Sequence, residues 1–71
     1  MKKVVSIMIK GVLLYVKGDN NNDIAYQLTK HSKGHYSGYM IKKSADLVES
    51  PPEFTNTKDK GVWNSEGKSL S

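Results

Sequence analysis

Apolar positions near the start of the chain fall into two runs, residues 4–9 and 12–16, separated by Lys10-Gly11. Valine and isoleucine favour strands, and glycine accepts the positive φ of a tight turn, so the pattern predicts a β-hairpin. With Lys10 and Gly11 as the turn residues, Ile9 faces Val12, Ile7 faces Leu14 and Val5 faces Val16. All six lie on one face, and a slip of one residue would send the apolar set to the other. Lys-Gly is a weaker turn signal than Asn-Gly, which leaves a bulged turn as the alternative. The second face carries Val4, Ser6, Met8, Leu13, Tyr15 and Lys17, and four of these six are apolar or aromatic. A sheet with one wet face would be polar there. A cover is therefore expected: the C-terminal segment, a second copy of the chain, or a partner.

The polar stretch GDNNND, residues 18–23, offers capping side chains and acids suited to the positive end of a helix dipole. Residues 22–33 then read as a helix of about three turns with Ile24, Ala25 and Leu28 on one stripe. Lys30 and Lys33 suit its C-terminal end, and Gly34 is placed to stop it in a left-handed conformation. Residues 35–43, HYSGYMIKK, alternate like a third strand, with Tyr36, Gly38 and Met40 on one face and Tyr39 and Ile41 on the other. Leu47-Val48 is a short apolar piece, either a fourth strand or one helical turn.

Pro51-Pro52 forbids helix continuation and opens an extended stretch. The ending, GVWNSEGKSLS, is either a docked hairpin turning at Asn64-Ser65-Glu66-Gly67 or a disordered tail. Trp63 favours docking, because an exposed indole forgoes a large burial gain. The expected fold is α+β: a small antiparallel sheet of three to four strands, ββαβ in order, with one helix on one face and the third strand beside the first. Residues 1–50 form the expected core domain, and 51–71 an extended linker and C-terminal segment. Opening on Met1, the chain reads as a complete short gene product.

Composition narrows the chemistry. The chain has 71 residues and no cysteine, so disulfides, thiolate catalysis and cysteine-bound zinc are excluded. No apolar run approaches the ~20 residues of a membrane span. The basic start followed by apolar residues superficially resembles a secretory signal, but Lys10-Gly11 breaks the run and no cleavage pattern follows. A cytoplasmic location is the expectation. Net charge is +4: residues 1–43 carry eight lysines against two aspartates, and residues 44–71 three lysines against five acids. All eleven cations are lysine. Reading of guanine edges, carboxylates or phosphates by paired hydrogen bonds is mostly arginine work, whereas lysine attracts phosphate without reading sequence.

Nothing in the sequence marks an enzyme. His31 and His35 are four apart, the spacing of two ligands on one helix face, but Gly34 intervenes and no glutamate base accompanies them. None of the serines sits in a nucleophile elbow, and the glycines form no phosphate-binding loop. No catalytic residue, metal or cofactor is assigned, and no small-molecule substrate is indicated. Two binding functions follow. The first is a protein-binding regulator, inhibitor or adapter, or self-association, through the second hairpin face: Val4, Met8, Leu13 and Tyr15, continued by Tyr36 and Met40. The alternative is sequence-nonspecific binding of single-stranded nucleic acid through Lys30, Lys33, His35, Tyr36, Lys42 and Lys43, with Tyr39 interleaved, lysines holding phosphates and aromatics stacking on bases.

Overall fold

The computed structural model describes residues 2–32 and 34–70. Its fold is α+β, a four-stranded antiparallel sheet with two helices on one face. Strands β1 (Lys3–Ile9) and β2 (Val12–Gly18) form the hairpin. Its register is the expected one, with Val5 opposite Val16, Ile7 opposite Leu14 and Ile9 opposite Val12. Lys10 and Gly11 take φ of 52° and 79°. Two consecutive left-handed residues match the twist of the flanking strands, so the hairpin closes without a bulge. The left-handed lysine costs about 1 kcal/mol, small beside the register it sets.

Helix α1 (Asn21–His31) begins where Asn20 accepts the Asp23 backbone N–H at 2.8 Å. It buries Ile24, Ala25 and Leu28. It stops at His31, earlier than the glycine signal suggested: Ser32 is extended and donates its N–H to the Leu28 carbonyl. The chain then folds back, and the Tyr36 N–H donates to the Thr29 hydroxyl at 3.0 Å.

Residues 35–43 are not a strand. Gly38–Ser44 forms a second helix, α2, capped by the Ser37 hydroxyl, which accepts the Met40 N–H at 3.3 Å. Ile41 is its one buried residue. Strand-like alternation needs two populated faces, and this segment has one anchor and two terminal lysines, which suit a short helix. The third strand is the Leu47 piece: β3 (Asp46–Leu47) pairs antiparallel with β1, placing Leu47 opposite Val5 and Asp46 opposite Ser6. Strand β4 (Gly61–Asn64) pairs antiparallel with β2, giving the order β3-β1-β2-β4.

The main core joins Val5, Ile7, Leu14, Val16 and Val62 from the sheet to Ile24, Ala25, Leu28 and Ile41 from the helices. A second layer lies across the opposite face. There a 3₁₀ helix, Glu53–Thr57, carries Phe54 edge-on to Tyr15, with ring centroids 5.7 Å apart, and 6.4 Å from Trp63. Trp63 is 1% exposed. Thr55 is buried, its hydroxyl donating to the Pro52 carbonyl at 2.7 Å, while its own carbonyl accepts from Lys17 Nζ at 2.9 Å. The chain end closes this layer as a hairpin, with the Asn64 side-chain oxygen accepting the N–H groups of Glu66 and Lys68 at 2.9 Å each. Gly67, at φ 91°, lies so close to Phe54 that a Cβ there would sit 2.9 Å from the ring.

Phe54→Ala is expected to open this roof, costing about 2–4 kcal/mol. Chemical denaturation followed by fluorescence of the single tryptophan measures it, with a red-shifted native spectrum as the sign that Trp63 is wetted. An unshifted spectrum and unchanged midpoint would mean that Phe54 does not shield the indole.

Candidate functional site

The hairpin's second face is largely occupied by the chain itself. Val4 is buried, Tyr15 lies half-buried against Phe54, and Leu13 is half-buried at the turn end. Met8, 61% exposed, stands opposite Leu13 where the ribbon outruns its neighbours. β3 reaches only Ser6, and β4 only Leu14. Tyr36 and Met40 do not continue this face. With 35–43 helical at its C-terminal end rather than extended, Tyr36 packs on the main core from the helix layer and Met40 lies on α2. The six residues expected to form one protein-binding surface are therefore divided between opposite sides of the sheet. Met8 and Leu13 remain together at the ribbon tip, with Val12, 53% exposed, on the other side.

The helix layer is built differently. Apolar side chains of α1 and α2 point into the sheet, which leaves the outer faces polar and aromatic. On α1, Tyr26 is 60% exposed and Lys30 Nζ lies 5.5 Å from the centre of its ring. On α2, Tyr39 is 68% exposed and Lys43 Nζ lies 5.4 Å from the centre of its ring. Both pairs have the spacing i, i+4, which sets the two side chains one above the other on a helix surface. Between the helices runs an open groove of about 310 Å³ lined by Tyr26, Thr29, His35, Tyr36 and Ser37, among others. The helices approach closely at its floor, where a Cβ on Gly38 would overlap the Asn22 side chain. His35, in the groove wall, is exposed, and so is Lys42 on α2. Lys33 lies outside the described residues, so it enters only as a charge in the sequence.

Charge separates the two layers. Residues 24–45 hold Lys30, Lys33, Lys42 and Lys43 and no acid, while the other seven lysines match seven acids. Residues 24–45 therefore carry a charge equal to the whole net charge of +4, and Asp23, in the first turn of α1, is the acid just before them. Several cations elsewhere are engaged. Lys2 pairs with Asp19 at 3.1 Å, and Lys60 bridges Asp19 at 3.3 Å and Asp23 at 3.1 Å. Lys58 donates to the Ser69 hydroxyl at 2.9 Å.

His31 and His35 do not share a helix face, because α1 ends at His31; its Nδ1 lies 3.1 Å from the Leu70 carbonyl. Among the described residues, no group of three or more histidines and carboxylates is placed to hold a metal ion, and no helix is long and apolar enough to cross a membrane. Of the residues named from the sequence, Lys30, Lys42, Lys43, His35 and Tyr36 lie in this layer, together with Tyr26, which the sequence reading did not name. The available signal was the repeated Tyr-to-Lys spacing in YQLTK and YMIKK. No family model, curated protein or solved structure matches this chain.

The ion cluster at the start of α1 contributes to stability on the acid side. The Asp19 carboxyl is held below its ordinary value of 3.8 by hydrogen bonds from Lys2 and then Lys60. That of Asp23 is lowered first by the Asp19 backbone N–H and then by Lys60. A lowered folded-state pKa contributes stability above the unfolded value, which is lost as pH falls through the folded one. Melting temperature is expected to drop as pH falls below about 4. Asp23→Asn is expected to lower it at pH 7 and flatten that drop. An acid limb identical in the variant contradicts the assignment.

Proposed function

We propose that this chain is a small non-catalytic protein that binds single-stranded nucleic acid, without strong sequence preference, through the outer face of α1 and α2. The observation that carries the reading is the excess of four lysines in residues 24–45, a stretch without an acid that covers α2 and all of α1 beyond Asp23. A cationic patch attracts a phosphate backbone by displacing its counterions. Exposed tyrosines among lysines supply the second element of single-strand binding, flat apolar surface beside positive charge. Cations that are all lysine fit phosphate attraction and not base-edge reading. A cytoplasmic setting suits this role.

A second reading, that the chain occupies a surface of another protein as a regulator, inhibitor or adapter, is favoured by the ribbon tip. The Val48 N–H donates to the Val4 carbonyl, so alternate β1 residues turn their backbone groups to that edge. Met8 is the next such position beyond Ser6, past the end of β3. The patch is small and carries no charge pattern that specifies a partner, so it ranks second.

Titration of fluorescent oligothymidylate at several salt concentrations tests the first reading. The logarithm of affinity is expected to fall with the logarithm of salt at a slope of about −2 to −3, as three to four neutralised phosphates require. Lys30→Gln with Lys42→Gln and Lys43→Gln is expected to reduce that slope by about 2, whereas Met8→Asp leaves it unchanged. Absence of association at low salt overturns the reading, and loss of binding on Met8→Asp with the fold intact transfers the function to the ribbon tip.

A further inference from the structure

Electrostatic attraction alone would accept any polyanion, but the geometry points to something narrower. We infer that Tyr26 and Tyr39 are base-stacking platforms, each paired with the lysine that holds the adjoining phosphate, so that the ligand is an unpaired nucleic-acid strand and not an acidic protein or duplex. This rests on the reading of the helix layer given above and specifies its ligand.

Three observations converge. The same unit occurs twice, once on each helix: a tyrosine more than half exposed with an ammonium group about 5.5 Å from its ring centre, four residues on. A buried tyrosine at these positions would be structural, but with 60% and 68% of their surface open the two rings contribute little to the core. Cation–ring contact orders both partners, so a flat face and a positive charge are already side by side before a ligand arrives. The α1–α2 groove, lined by Tyr26, His35 and Tyr36, adds room for a base edge next to the first platform. Every base has a π-face, so stacking tolerates sequence, but it requires bases out of the helix stack. Acidic side chains offer the charge without the face, and a duplex offers the face only at its ends.

The experiment compares oligothymidylate with an abasic oligomer of the same length and phosphate count, alongside polyglutamate and a duplex. Wild type is expected to bind oligothymidylate at least tenfold more tightly than the other three. Tyr26→Leu and Tyr39→Leu are each expected to weaken oligothymidylate binding about tenfold, while leaving abasic binding and its salt slope unchanged. Tyr26→Phe and Tyr39→Phe keep the ring and are expected to retain full binding, which separates stacking from loss of a hydroxyl contact. Circular dichroism confirms that the variants stay folded. Equal affinity of wild type for oligothymidylate and the abasic oligomer overturns the stacking inference while leaving the electrostatic reading standing. Absence of binding to both defeats that reading as well. Polyglutamate or duplex bound as tightly as oligothymidylate overturns the single-strand assignment.

Discussion

A β-ribbon that is apolar on both faces must be covered twice, and this requirement organises the molecule. Val5, Ile7, Leu14 and Val16 demand a helix layer on one side, and Val4 and Tyr15 demand shelter on the other. A chain this short has little material for two covers, since small domains bury a smaller share of their surface than large ones. The solution spends α1 and α2 on the first face, and the 3₁₀ helix, Trp63 and the turn at Gly67 on the second. β4 joins the two, because its Val62 enters the helix-side core while the adjacent Trp63 closes against Phe54. Alternation along one short strand thus ties both layers to the same sheet.

Double coverage also decides what is left outside. With the apolar stripes of both helices turned inward, their outer faces are free to carry lysine and tyrosine. The acids gather at the start of α1 and along the later part of the chain. Segregation of charge has a cost in self-repulsion among neighbouring lysines, and nothing in the packing of the core requires it. The ammonium groups over Tyr26 and Tyr39 offset part of that repulsion. A solubilising surface would be served as well by mixed charges. The absence of any acid between Ile24 and Ala45 is what favours an anionic ligand for this layer.

Legibility in the sequence followed the strength of local signals. The hairpin register was readable because six apolar residues could share a face in only one alignment around Lys10-Gly11. Helix α1 was readable from its caps and its stripe. Position, though not identity, was right for the third strand: a short piece lies beside β1, but it is Asp46–Leu47 and not the preceding segment. The misreading of 35–43 came from assigning Tyr39 and Ile41 to one strand face and Tyr36, Gly38 and Met40 to the other, while Ser37 as a cap was a weaker cue pointing the other way. That error carried into the site, because it put Tyr36 and Met40 on the ribbon's far face. Of the helix-layer residues, the lysines were legible as charge. Tyr26 was overlooked, although its spacing to Lys30 within YQLTK could be read from the sequence; what only the structure supplies is the groove beside it.

Mapping of amide chemical shifts in ¹⁵N-labelled protein on addition of oligothymidylate tests the central claim most directly. The account expects shifts confined to the α1–α2 layer, largest around Tyr26, Lys30, Tyr39 and Lys43, with the Trp63 indole resonance unmoved beneath its roof. Shifts concentrated at Met8, Val12 and Leu13, or none anywhere at low salt, would contradict it.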